Sequence, residues 1–186
     1  MVRIVCVGNR LVEHDSAGPA VFDYLTSKGV PAGVELIDGG LAGLDLLPLT
    51  EQPGLVIFVD TVQYSGIPGK VLLFKADTAA TLADPVLGHR ASVAEVLRLM
   101  PAMFGARHAE VIVVGIEPPY TQESVELAAR CILAFAVGPE YAREALQRDG
   151  VAQAQQGVAD ETSEQGLQQL CILEIHNDLA RSKRWC

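Results

Sequence analysis

The sequence predicts an α/β three-layer sandwich in which helices cover both faces of a mostly parallel sheet. Three observations carry that expectation. Short apolar runs alternate with amphipathic stretches along the chain as far as about residue 136. The runs are continuous rather than two-periodic, as in strands buried on both faces. The first three of them stop at glycine or a polar residue, as strands entering loops do. A chain of 186 residues with 49% hydrophobic and 20% charged side chains can fill one core, and 17 Gly with 10 Pro is far from a low-complexity composition.

Val2 to Val7 is apolar and β-branched and ends at Gly8-Asn9, so it reads as a buried strand followed by a loop. Pro19 opens a helix, because proline loses nothing in a first helical turn, and Val21, Phe22 and Leu25 form its stripe up to Gly29. Val34 to Ile37 is the second strand, running into Asp38-Gly39-Gly40, and Ala42 to Leu49 a short helix. Leu55 to Val59 is the most continuous run and ends at Asp60. Only nine residues separate Asp60 from the next strand, Lys70 to Lys75. A parallel crossover needs about a dozen or more, so this fourth strand is expected to run antiparallel at an edge. His89 falls in the long loop after it.

Ser92 is expected to cap a helix reaching Met103, with Val93, Val96, Leu97 and Met100 on one face, and Val111 to Ile116 is the last strand. Thr121 starts a long helix carrying Val125, Leu127, Ala128, Cys131, Ile132 and Phe135, which Gly138-Pro139 kinks or divides before Gly150. Val151 to Gly166 has no periodicity and reads as a linker, and Leu167 to Leu179 as one more amphipathic helix. The expected organisation is a domain over 1–150 with a C-terminal extension over 151–186.

Composition excludes several functions. A net charge of −9 with a pI near 4.8 argues against a nucleic-acid partner, which requires a basic face. No apolar run reaches about 18 residues, so membrane insertion is not expected. The start of the chain lacks the pattern of a secretory signal, and the cysteines Cys6, Cys131, Cys171 and Cys186 have no metal-site or disulfide spacing. Reduced thiols in a cytoplasmic protein are the expectation. No dinucleotide fingerprint, P-loop, H-E-x-x-H or G-x-S-x-G elbow occurs.

In an open parallel sheet, ligands bind beyond the carboxyl ends of the strands, near the point where strand order reverses. Asp15 lies after strand one, Asp38 closes strand two and Asp60 closes strand three. The fold is expected to bring Asp15, Asp60 and His89 to one rim. Two carboxylates and an imidazole can hold a borderline transition metal with positions left open. Taken singly, an Asp at a strand end is commonly a turn former or helix cap, and a lone loop histidine is commonly solvated.

Together, Val7-Gly8-Asn9 with Asp15-Ser16-Ala17-Gly18-Pro19, Ile37-Asp38-Gly39-Gly40, Val59-Asp60 with Pro68-Gly69, His89, and Gly115-Ile116-Glu117-Pro118 resemble the hydrogenase maturation endopeptidases. These peptidases, grouped with the aspartyl type, remove a C-terminal extension from the large-subunit precursor of [NiFe] hydrogenases. The resemblance spans roughly residues 2 to 136. It implies a five-stranded, mostly parallel sheet of phosphorylase/hydrolase-like kind with one antiparallel strand. It implies Asp15, Asp60 and His89 as the residues that meet nickel, which the substrate supplies. It also implies a catalytic part for Asp15, Asp38 and Asp60, and substrate contact by Asp38, Gly39 and Gly40. His14 and Ser16 depart from the family pattern, where Asp and Gly are common, and the chain beyond residue 150 lies outside the resemblance. Two other readings fit the same residues: a metal-sensing binding module that docks a precursor without cutting it, and a peptidase without nickel dependence.

Overall fold

The apolar runs form strands β1 (Val2–Val7), β2 (Val34–Gly40), β3 (Leu55–Thr61), β4 (Val71–Lys75) and β5 (Glu110–Ile116) of one sheet. This is a computed structural model, and it describes residues 1–81 and 93–138. The strand order is β2-β1-β3-β5-β4. All pairs are parallel except β4 with β5, which is antiparallel at the edge. The short β3–β4 connection therefore does what its length requires. Order reverses between β1 and β3, because the chain leaves β1 toward β2 on one side and returns to β3 on the other. That is the switch point at which such a sheet opens a crevice.

Every residue of β3 after Leu55 is buried, as the continuous apolar run requires of a strand covered on both faces. Side chains alternate between two layers. Val5, Val56, Phe58, Leu72 and Phe74 join Val93, Val96, Leu97 and Met100 in one cluster, together with Leu46. The alternate residues Ile4, Cys6, Ile57 and Val59 are equally buried. Helix α1 (Ala17–Lys28) packs on β1, β2 and β3 and buries Val21 and Leu25. Burial of each such side chain is worth roughly 1.5–3 kcal/mol before the entropy of ordering it is counted.

Helix α2 (Ala76–Thr81) follows β4 directly, where the sequence reading has only a loop. Its sequence, Ala-Asp-Thr-Ala-Ala-Thr, carries a single buried side chain, Ala79, so no apolar period announces it. Helix α3 (Val93–Phe104) is the stripe read from the sequence. The expected helix at Ala42 to Leu49 is a 3-10 segment, Gly43–Thr50, containing Pro48, whose missing N–H interrupts an α-helical ladder. Helix α4 (Gln122–Val137) is preceded by Thr121, whose Oγ1 accepts the Ser124 N–H at 3.3 Å while its own N–H donates to Ser124 Oγ at 3.2 Å. It ends before Gly138, which adopts φ +100°. The strands, α1 to α3 and α4 as far as Ala129 belong to one compact unit, Met1–Ala129, and a second begins at Arg130.

The readings for His89, the Ser92 cap, any helix between Pro139 and Gly150, and the segment 151–186 lie outside the described residues. Cys6 and Cys131 are buried, as their apolar surroundings suggest. Among the described residues, no helix is long and apolar enough to cross a membrane.

Candidate active site

The loop after β1 folds back on itself to bury Asp15. Gly8 N–H donates to Gly40 O at 3.0 Å, tying this loop to the end of β2. Asn9 N–H then donates to both the Asp15 carbonyl, at 2.9 Å, and Asp15 Oδ2, at 2.8 Å. Asp15 ends a 3-10 turn, Glu13–Asp15, and is 3% exposed. Two glycines permit this. Gly8 has φ +138°, and a Cβ there would overlap the Asp15 carbonyl oxygen. A Cβ on Gly18 would overlap the carbonyl oxygens of Val7 and Val59, so the start of α1 sits directly on the ends of β1 and β3.

Asp60 stands on β3 beside Gly115 of β5 and is 4% exposed. It lies within the strand rather than at its end, because β3 continues to Thr61. Asp60 Oδ1 accepts the Thr61 N–H at 2.7 Å, and Thr61 Oγ1 in turn accepts the Ala17 N–H at 3.3 Å. Burial pushes the Asp60 carboxyl well above the usual carboxylate range, the Thr61 N–H opposes that, and the charge of Asp15 adds to it. The charge of Asp15 thus acts on Asp60 across the switch point. Among the described residues it is the Thr61 N–H that offsets an ionised Asp60, and a bound cation or a proton would compensate the charge further.

Asp38 is in a different position. It also lies inside its strand, paired with Cys6, because β2 runs on to Gly40. Its side chain is 39% exposed, and both oxygens are engaged: Oδ2 accepts from Arg10 at 2.9 Å and Oδ1 from the Gly40 N–H at 3.2 Å. Arg10 also pairs with Asp23 at 2.6 Å and lies over the Phe22 ring at 5.7 Å. The Asp23 and Asp38 carboxylates raise the guanidinium pKa further, Asp23 more than Asp38. Gly39 is buried against β1, with 3.0 Å between a notional Cβ and Val5 Cγ1, and Gly40 has φ +47°.

The described residues contain no group of three His, Cys, Asp or Glu arranged to hold a metal ion. The pair Asp15 and Asp60 would supply the carboxylate donors of such a site. His14, beside Asp15, is exposed and faces a groove of about 530 Å³ lined by Glu13, His14, Pro118, Pro119 and Tyr120.

Several residues that shape the site carry no assigned role in the sequence reading. Asn9 supplies the amide on Asp15, Arg10 holds Asp38, and Tyr120 OH meets Ser16 Oγ at 2.7 Å. Glu117, 2% exposed, takes the backbone N–H groups of Tyr64, at 2.8 Å, and of Ser65. Its backbone is bonded on both sides as well, donating to Lys70 O at 3.0 Å and accepting from Gly69 N–H at 2.9 Å. A glutamate directly after an apolar strand was the available signal for Glu117. The others depend on contacts between loops distant in sequence.

A family model described as hydrogenase maturation protease matches residues 19–132. The hydrogenase expression/formation protein HoxM of Azotobacter vinelandii is 28% identical over 120 residues, covering 63% of this chain and 58% of HoxM. For its counterpart HupM of Azotobacter chroococcum the share covered is 57%, so the chain spans less than three fifths of the length of these two relatives. The hydrogenase 2 maturation protease of Escherichia coli is 24% identical over 153 residues, covering 81% of this chain and 93% of that protein. Among solved structures, the endopeptidase HycI of Escherichia coli aligns with a TM-score of 0.59 at 22% identity, over 75% of this chain and 93% of HycI. The hydrogenase maturating endopeptidase HybD of Escherichia coli aligns with a TM-score of 0.56 at 22% identity, over 77% and 92%. The α/β fold is the same in both.

Proposed function

The chain belongs to the hydrogenase maturation protease family, and on that premise we propose that it is an endopeptidase of the cytoplasm that removes the C-terminal extension from the large-subunit precursor of a [NiFe] hydrogenase after nickel insertion. The observation that carries this reading is the buried carboxylate pair Asp15 and Asp60, set at the switch point with Asp60 held toward its protonated form. Such a pair gains most from a cation delivered to it, because the cation offsets both the burial and the mutual repulsion. Nickel enters as part of the substrate, with Asp15, Asp60 and His89 as the side chains that meet it. Recognition then makes metal loading the condition for productive docking.

The carboxylates have a second use. Asp60, a buried carboxyl whose proton affinity is raised by that burial, is suited to take a proton from an attacking water and return it to the leaving amine. Asp38 and the Gly39-Gly40 backbone would contact the substrate chain at the neighbouring strand end. The Arg10 pair makes Asp38 a partner for polar groups rather than an isolated base.

Incubation with nickel-loaded and nickel-free precursor, followed by mass spectrometry of the large subunit, tests the reading. Loss of the extension is expected from the loaded precursor only, and Asp15→Ala or Asp60→Ala should abolish it. Equal cleavage of both forms would rule out nickel recognition. A chain that binds the loaded precursor and leaves it intact would be a docking module instead.

A further inference from the structure

The groove beside His14 has a position, a size and a lining that point to an occupant. One wall, Glu13 and His14, belongs to the β1–α1 connection, and the other, Pro118, Pro119 and Tyr120, to the β5–α4 connection. In the sheet β3 lies between β1 and β5, so the walls flank the strand that carries Asp60. Parallel strands are about 4.8 Å apart, so the roots of the two walls stand about 10 Å from each other, room for one extended chain. The Ser16–Tyr120 hydrogen bond at 2.7 Å links the two connections. The groove's volume, about 530 Å³, falls within the size range of ligand clefts.

We propose that this groove seats an extended, non-acidic segment of the precursor next to the carboxylate pair, with Glu13, His14 and Tyr120 setting which segment is accepted. The assignment rests on the endopeptidase reading above and names a substrate subsite for it. The lining decides how such a segment is held. Pro118 and Pro119 have no N–H, so this wall offers a peptide only the Tyr120 amide, too few donors for the backbone ladder by which a peptide is added to a sheet edge. Recognition falls to side chains. The Tyr120 hydroxyl is anchored on Ser16, which fixes a ring that presents an apolar face at little entropic cost. Glu13 places an exposed carboxylate on the opposite wall of a chain with net charge −9, so a guest bearing carboxylates is disfavoured and a neutral or basic one is favoured. His14 follows Glu13 and precedes buried Asp15, so this wall of the groove is one residue along the chain from one member of the carboxylate pair.

The test measures binding and cleavage of nickel-loaded precursor separately, with the full chain. His14→Trp fills the groove and Glu13→Lys reverses its charge, and circular dichroism and thermal melting establish that each variant folds. Both should raise Kd and KM about tenfold while kcat for the bound precursor stays within about twofold, the signature of lost substrate binding. Tyr120→Phe, which keeps the ring, should do less than Tyr120→Ala. Folded variants that leave Kd and KM unchanged overturn the groove assignment while the endopeptidase reading stands. Binding that is lost in the variants, from a wild type that does not cut, upholds the groove and overturns the endopeptidase reading. A wild type that neither binds nor cuts overturns both.

Discussion

Asp60→Asn should stabilise the metal-free protein while destroying its activity, and the size of the gain should depend on pH. Asparagine keeps the shape of the side chain and the acceptor for the Thr61 N–H, now at 2.7 Å. What it removes is a carboxyl that is 4% exposed and, wherever it is ionised, repelled by Asp15. An ionised group in such a place costs several kcal/mol, and the new amide N–H gives back about 1–3 kcal/mol if it finds no acceptor. A net gain of about 1–3 kcal/mol follows, or roughly 2–4 °C in Tm for each kcal/mol in a chain of this size. The sign with pH comes from the raised pKa. The native state binds more protons at Asp60 than the unfolded chain does, so wild-type stability is fullest below the unfolded carboxylate pKa and declines as pH rises through the higher native value. The variant lacks that decline. Thermal melts in chelator across acid to mildly alkaline pH should therefore diverge, with the variant ahead at the alkaline end. A variant less stable than wild type there, or a gap that does not change with pH, would refute the claim that Asp60 is a costly buried charge.

Three further substitutions probe the frame around the pair. Glu117→Ala strands the buried N–H groups of Tyr64 and Ser65 and should cost about 2–4 kcal/mol in urea unfolding, whereas Glu117→Gln, which keeps an acceptor, should cost less than half of that. Gly18→Ala forces a methyl onto the Val7 and Val59 carbonyl oxygens and should lift α1 off the strand ends, lowering stability by roughly 3 kcal/mol or more and the yield of folded protein with it. Arg10→Gln and Asp38→Asn should each leave the urea midpoint nearly unchanged, with a weak coupling that fades in high salt, because both groups are substantially exposed. Cleavage lost by Asp38→Asn but retained by Arg10→Gln would mark Asp38 as a group that touches the substrate.

The sheet was legible because its determinants are local. An apolar run of fixed length is a strand wherever it lies, and β1 spans the residues read for it, Val2–Val7. The antiparallel edge strand followed from the length of one connection. Helix α2 was not legible, since alanine and threonine in a six-residue helix give no apolar stripe. Strand ends were read short at Asp38 and Asp60 because a charged residue looks like a terminus in sequence, yet ladder pairing carries on through Gly40 and Thr61. At the site, the neighbourhood of the loop that carries Asp15 and the strand that carries Asp60 follows from strand order. Their protein partners do not, because the Asn9 amide reaches Asp15 only once Gly8 turns the loop, and Arg10 meets Asp38 only across two strands' connections.

That division explains why the charged residues near the switch point differ in kind. Asp15 and Asp60 are placed by the backbone: the start of α1 is pressed onto β1 and β3 at a glycine, and the Asn9 and Thr61 amides orient a carboxylate each. These backbone contacts involve no rotatable side chain of the donor, so they fix the carboxylates at little entropic cost. Asp38 is held through the Arg10 side chain in an exposed, salt-sensitive pair. On the proposed reading, the rigid, desolvated pair would discriminate loaded from unloaded substrate, and the adjustable, solvated Asp38 would yield to the contour of the chain that accompanies the metal.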